Sequence, residues 1–238
     1  MFNIRCSIKM SNLSELEKII KVKFNNRDLL EQALVHRSYL NENPKFHLKD
    51  NERLEFLGDA VLELIVTDHL YNNYPNPEGD LTNWRAALVN AKMLAKIANR
   101  LEINKYLLLS HGESKDTGRA RQYILANASE ALIGAIYLDR GYDQSKEFIE
   151  REILSKLDEI IEEKLYQDPK SLFQEKAQDQ DSVTPDYNVI KEWGPDHDKQ
   201  FIVGVYLDEK LIAKGQGASK QEAQEKAAEA ALQKKKWN

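Results

Sequence analysis

Apolar residues recur every three or four positions from Leu13 to about Leu165, as in Leu13, Leu16, Ile19 and Ile20 and again in Leu88, Met93, Leu94 and Ile97. That is the period of the α-helix, and it predicts a first two-thirds made entirely of helices. Turn chemistry interrupts the pattern at Asn25-Asn26, from Asn41 to Pro44, at Tyr74-Pro75-Asn76-Pro77-Glu78-Gly79 and from Gly112 to Gly118. Asp80 or Thr82 is expected to cap a helix carrying Trp84 to Arg100. A charged amphipathic run from Gln144 to Leu165 closes the region before Gln167-Asp168-Pro169, where proline disfavours further helix, so a linker is placed at residues 166–169. Beyond it the texture changes. A helix over Lys170 to Gln178 precedes three short β-branched or aromatic runs, Tyr187 to Ile190, Phe201 to Tyr206 and Lys210 to Lys214. Gly215-Gln216-Gly217 then leads into an alanine-rich helix beginning at Ser219, which gives the order α-β-β-β-α.

The chain has 238 residues, 42% of them apolar and 31% charged, which suits two folded domains and argues against disorder. No window approaches the apolar length of a membrane span, and the opening stretch MFNIRCSIKMSN is too polar for a secretory signal, so a cytoplasmic protein with no membrane partner is expected. A single cysteine, Cys6, permits no internal disulfide and no Cys/His metal cluster, so any metal has to be held mainly by oxygen and zinc is disfavoured. Residues 1–9 precede a second methionine, Met10, and are given no role. The net charge of −5 counts against nucleic-acid binding, since such proteins usually present a basic face.

The densest chemistry lies in the run Asn51 to Leu62. On a helix, Glu52, Glu55 and Asp59 stand at i, i+3 and i+7 and share one stripe, while Leu54, Leu57, Val61 and Leu62 mark a buried one. Like charges so placed repel, and a hard cation such as Mg²⁺ or Mn²⁺ would compensate them. Spacing alone slightly favours a solvated acidic face, which is common on helices. The run Tyr123 to Asp139 changes that balance. It is an almost wholly apolar helix in which Asn127 and Glu130 are the conspicuous oxygen-bearing exceptions, and a buried carboxylate is costly unless paired or metal-bound. A hydrogen bond to a neighbouring helix, or pairing with an Arg such as Arg53 or Arg85, is the alternative.

Together, Asn51 to Asp59 and Ile124 to Asp139 resemble the bacterial ribonuclease III family, as do His36-Arg37-Ser38-Tyr39, Glu78 to Thr82, Gly112-Glu113 and the C-terminal region. The resemblance implies two domains: an all-α ribonuclease III endonuclease domain over residues 11–141, with its closing helix continuing to about 165, and an α+β double-stranded-RNA-binding domain over 168–237. It implies catalytic roles for Asp59 and Glu130, and metal ligation by Glu55, Asn127 and Glu130, with Mg²⁺ as cofactor and Mn²⁺ as a substitute. Glu52 falls on a neighbouring position that is not read as a ligand. The implied activity is hydrolysis of RNA duplexes by a homodimer formed through the nuclease domain. It leaves 5′-phosphates, 3′-hydroxyls and short 3′ overhangs, in the processing of rRNA, mRNA or tRNA precursors. Phe56-Leu57 suits the dimer contact and suits ordinary core equally.

The chain departs from the family at Asn127, where Asp is usual, and at Ser114 to Gly118, where Ser-Gly-Gly is common. An amide removes one negative charge from the metal site, which predicts weaker metal binding. In the C-terminal domain, Gln174 and Gln178 are expected at 2′-hydroxyls in the minor groove, the Gly194 to His197 loop in the next minor groove with His197 as contact, and Ser219 and Lys220 at phosphates. Gln221 stands where a second lysine is usual, and Gln224 and Glu225 stand where another cation would help. Eleven Lys against thirteen Asp and Glu give residues 168–237 a net charge of −2, so affinity should be modest and salt-sensitive. The rival reading is a duplex-RNA-binding protein with an impaired nuclease domain. A phosphohydrolase unrelated to RNA leaves the C-terminal domain unexplained.

Overall fold

The structure is a computed structural model and describes residues 13–195 and 199–237. Residues 1–9, Cys6 and His197 lie outside the described residues. The chain divides into two compact units between Tyr166 and Gln167.

The first unit is helical among its described residues. Helical residues 13–20 (α1) are followed by α2 (Arg27–Ala33), α3 (Arg37–Glu42), α4 (Glu52–Asn73), α5 (Glu78–Val89), α6 (Ala91–Arg100), α7 (His111–Lys115), α8 (Arg119–Glu152) and α9 (Leu157–Glu162). One core joins all of these but α3 and α7, with Leu62, Ile65, Leu88, Leu94, Leu132 and Ile136 essentially inaccessible. Helices α4 and α8 are its central pair. Their backbones touch at Gly58 and Gly134: a Cβ added to Gly58 would sit 1.8 Å from the Glu130 carbonyl oxygen, and one on Gly134 would sit 2.2 Å from that of Leu54. Only glycine permits this approach.

Three local readings are corrected. Helix α5 starts at Glu78 behind Pro77, so Asp80 and Thr82 are not caps; Asp80 lies in the first turn, where an acid suits the helix dipole, and the Thr82 hydroxyl donates to the Glu78 carboxylate at 2.7 Å. The stretch Trp84 to Arg100 is two helices. Asn90 is extended (ψ 157°), and its side-chain oxygen accepts from the Met93 N–H at 2.9 Å while its amide nitrogen donates to the Ala87 carbonyl at 2.9 Å. One side chain thus closes one helix and opens the next. The run Gln144 to Leu165 is likewise broken, because a 3₁₀ turn at Leu154–Lys156 separates the end of α8 from α9; α8 also kinks just ahead of the run, at Gly141 (φ +78°). Buried Glu152 anchors that end by accepting from Arg100 at 2.6 Å and Arg151 at 2.7 Å.

The second unit contains α10 (Pro169–Asp181), strands β1 (Asp186–Trp193), β2 (Gln200–Leu207) and β3 (Lys210–Gly217), and α11 (Lys220–Lys235). The proline that disfavours continuing the preceding helix opens α10 at its first turn, with the Asp168 carboxylate accepting from the Ser171 N–H at 2.8 Å. The sheet is antiparallel in the order β1-β2-β3, and Gly217 pairs with Phe201, so Gly215-Gln216-Gly217 completes β3 rather than leading out of it. Phe173, Ala177, Val205, Ile212, Ala227, Ala228 and Ala231 form the core. The alanines let α11 lie close: a Cβ on Gly215 would stand 2.2 Å from the Ala227 nitrogen.

Candidate active site

The glycine contact decides what faces what. It brings the α4 residues Glu55 and Asp59 beside the α8 residues Asn127 and Glu130, one oxygen-bearing pair from each motif run. Burial, followed by the carboxylates of Asp59 and Glu55, pushes the Glu130 carboxyl from its ordinary 4.5 up to about 7. Glu55 is raised as well, first by burial and then by Glu52, against which a hydrogen bond from the Asn127 side chain works in the opposite direction. Among the described residues, Glu55, Asp59 and Glu130 have no ion pair. The arginine alternative fails for Arg85, whose guanidinium instead donates to the Thr67 hydroxyl at 3.0 Å. Glu52 lies at the edge of the cluster: near enough to raise Glu55, it is itself exposed and 3.3 Å from the exposed Arg37.

This constellation fits a divalent cation on chemical grounds: three carboxylates and an amide oxygen, all hard donors, whose mutual repulsion only a positive charge relieves. The tightest His/Asp/Glu grouping among the described residues is elsewhere, at Asp28, Glu31 and His47, whose ligating atoms lie within 4.8 Å of one another. Electrostatic frustration, rather than close spacing, marks the α4/α8 site.

A supporting network escaped the sequence reading. The Arg121 guanidinium donates to three carbonyls, those of Glu113 (3.1 Å), Ser114 (2.9 Å) and Asp116 (3.1 Å), and so ties the segment before α8 to that helix. Ser110 N–H donates to the Ser38 hydroxyl at 3.1 Å, and Ser38 N–H donates to His36 Nδ1 at 3.3 Å. Most of Gly112 to Gly118 is therefore not loose loop: α7 occupies part of it. His36-Arg37-Ser38 was visible as a motif, but its partners are 72 residues away.

In the second unit, Gln174 and Gln178 lie exposed on one face of α10, opposite buried Phe173 and Ala177. The Ser219 hydroxyl accepts from the Glu222 N–H at 3.1 Å, and the Glu222 carboxylate accepts from the Ala218 N–H at 2.8 Å, a reciprocal cap that fixes the start of α11. Lys220 is exposed in the first turn.

A helical unit with a convergent cluster of unneutralised carboxylates is thus joined in one chain to an α-β-β-β-α unit. Comparison with known proteins is specific. A Ribonuclease-III-like family model matches residues 26–157, and a double-stranded RNA binding motif model matches residues 169–235. The Ribonuclease 3 of Dehalococcoides mccartyi (strain 195) is 45% identical over 225 residues, 94% of this chain and 95% of that protein. That of Borreliella burgdorferi is 44% identical over 228 residues, 95% and 93% of the two chains. The crystal structure of the nuclease domain of ribonuclease III from Campylobacter jejuni has 41% identity and a TM-score of 0.55, over 61% of this chain and 95% of that one. The chain belongs to the ribonuclease III family and is an endoribonuclease of double-stranded RNA.

Proposed function

We propose that Glu55, Asn127 and Glu130 hold a divalent cation, Mg²⁺ with Mn²⁺ as a substitute, and that Asp59 and Glu130 are the catalytic carboxylates. The observation that carries this reading is the convergence of Glu55, Asp59, Asn127 and Glu130 across the glycine contact with no basic partner among the described residues; burial and the neighbouring carboxylates raise the Glu130 carboxyl, a charge conflict that a cation relieves. A divalent cation at such a site supplies charge neutralisation at the phosphate and a more acidic attacking water. The chain's own groups do the rest. Asp59 accepts a hydrogen bond from the attacking water, orients it and takes its proton as the oxygen bonds to phosphorus. The bond from phosphorus to the 3′ oxygen breaks, and the leaving 3′ oxygen takes a proton from solvent water, which gives a 5′-phosphate and a 3′-hydroxyl. The amide of Asn127 contributes an oxygen without charge, so the cation is held more loosely than an aspartate would hold it.

We further infer a homodimer through the nuclease unit. Phe56 is 81% exposed, Leu64 59% and Tyr71 78%, so α4 presents an apolar stripe to solvent, whereas Leu57 packs on the core. A second Campylobacter jejuni nuclease-domain structure, 42% identical with a TM-score of 0.51, is described as flexible in a region involved in dimer formation. Two acidic sites in such a pair would cut opposite strands and leave short 3′ overhangs. Gln174, Gln178, Lys220 and His197 are the RNA contacts in this reading, with Ser219 holding Lys220 in place. Among the described residues no helix is long and apolar enough to cross a membrane. Processing of rRNA, mRNA or tRNA precursors in the cytoplasm is the role that follows.

The test is cleavage of a long end-labelled RNA duplex at low salt in EDTA, Mg²⁺ or Mn²⁺, with wild-type protein and Glu130→Ala. Cutting only with a divalent ion, lost by about 10³-fold or more in the variant while duplex retention persists, is the expected result. Retention without cutting by the wild type in either metal would return the impaired-nuclease reading that Asn127 motivates.

A further inference from the structure

Helix α11 lacks cations at Gln221 and Gln224, yet the fold brings cations to the same face from other elements. Lys220 and Gln224 are one turn apart and share a helix face. Lys170, in the first turn of α10, donates from Nζ to the Gln224 side-chain oxygen at 2.7 Å, and its ammonium lies 5.1 Å from the Tyr187 ring centroid. Lys199, just before β2, places its Nζ 6.0 Å from the Phe201 ring, and Lys220 places its own 5.9 Å from the same ring. Phe201 is buried, so one fixed aromatic ring steadies two ammonium groups.

Other lysines of the unit are differently engaged. Lys226 pairs with Glu222 at 2.7 Å, Lys235 pairs with Asp181 at 2.6 Å, and Lys234 donates to the Ile212 carbonyl at 2.8 Å. Among the described residues, Lys170 and Lys220 have no carboxylate within ion-pair distance, and Lys199 has one loose partner, Glu192 at 3.6 Å. Three ammonium groups from three elements therefore border the first turns of α11. Side chains held by rings and an amide lose less freedom on binding than free lysines do.

We propose that Lys170 and Lys199, which lie outside the α11 motif, are backbone-phosphate contacts for the RNA duplex and replace in space the cations missing at Gln221 and Gln224. The proposal rests on the reading that this end of α11 faces RNA. It explains how a unit with net charge −2 binds a polyanion: three cations converge at one end of α11, so the local charge there differs from the average.

The experiment measures binding of the full chain to two RNA duplexes of unrelated sequence, in EDTA to prevent cutting, across a range of salt. Lys170→Gln and Lys199→Gln should each weaken binding roughly 3- to 10-fold on both duplexes and lower the slope of log affinity against log salt by about one. Lys210→Gln, at the β2–β3 turn, should change neither. Because Lys170 also bonds α10 to α11, Gln224→Lys is added to Lys170→Gln. Recovery of the slope shows that charge is what matters, whereas a loss that this charge does not restore overturns the role of Lys170. Wild-type slopes in both Lys170→Gln and Lys199→Gln, with Lys220→Gln still impaired, overturn the proposal and leave the α11 reading intact. A silent Lys220→Gln as well overturns both.

Discussion

The two units solve the same packing problem to opposite electrostatic ends. In each, glycine lets a helix approach a neighbouring backbone: Gly58 and Gly134 between α4 and α8, Gly215 between β3 and α11. In the nuclease unit that approach drives like charges together and half-buries them, with Glu130 raised to about 7 as the result. In the RNA-binding unit it buries alanines and leaves charges at the surface, where Lys226 and Lys235 pair with acids while Lys170 and Lys220 have no carboxylate partner among the described residues. The part that does chemistry half-buries its like charges, and the part that reads shape keeps them in water. Sites destabilised in this way are where a ligand has most to stabilise.

The contrast breaks most visibly at the glycine contact. Gly58→Ala places a methyl 1.8 Å from a backbone oxygen that no rotamer can move, so α4 and α8 must part. A loss of about 3 kcal/mol in the stability of the nuclease unit is expected, read by thermal unfolding, together with loss of cutting but not of duplex retention. An unchanged unfolding temperature would mean that the contact is not what sets the site.

A smaller effect sharpens the comparison through pH. Glu130 is raised from 4.5 to about 7, so the folded unit holds a proton that the unfolded chain gives up. The stability this contributes is complete below about pH 4.5 and disappears as pH rises through 7. In EDTA, denaturant midpoints should therefore fall between pH 5 and pH 8 by an amount that Glu130→Gln removes, on the order of 1–2 kcal/mol after allowing for solvent screening. Equal pH dependence in the two proteins would refute the origin assigned to the shift. Asn127→Asp is the mildest change. It should lower the Mg²⁺ concentration for half-maximal cleavage by roughly 3- to 10-fold, and an unaltered Mg²⁺ titration would show that the amide is not what loosens the site.

Much of this architecture was legible because it is written locally. Glu55 and Asp59 on one stripe, and Asn127 and Glu130 in an apolar run, follow from the helical period, and the three strands follow from their β-branched and aromatic runs. What was not legible depends on the backbone or on distant partners. Nothing in the apolar rhythm of Trp84 to Arg100 announces the break at Asn90, which side-chain capping produces, and the kink at Gly141 needs a positive φ that a glycine permits but does not demand. Lys170 meets Gln224 across 54 residues, so counting charges along α11 understated what surrounds it.

The junction between the units has a kinetic meaning. Tyr166 belongs to the first unit, its ring 6.2 Å from Trp84, and Asp168 already caps α10, so only a residue or two of chain separates them. An RNA duplex caught by the second unit is thereby presented to the first at an effective concentration on the order of millimolar, wherever the tether's reach allows. The acidic cluster, which on its own repels a polyanion, need not capture RNA from dilute solution.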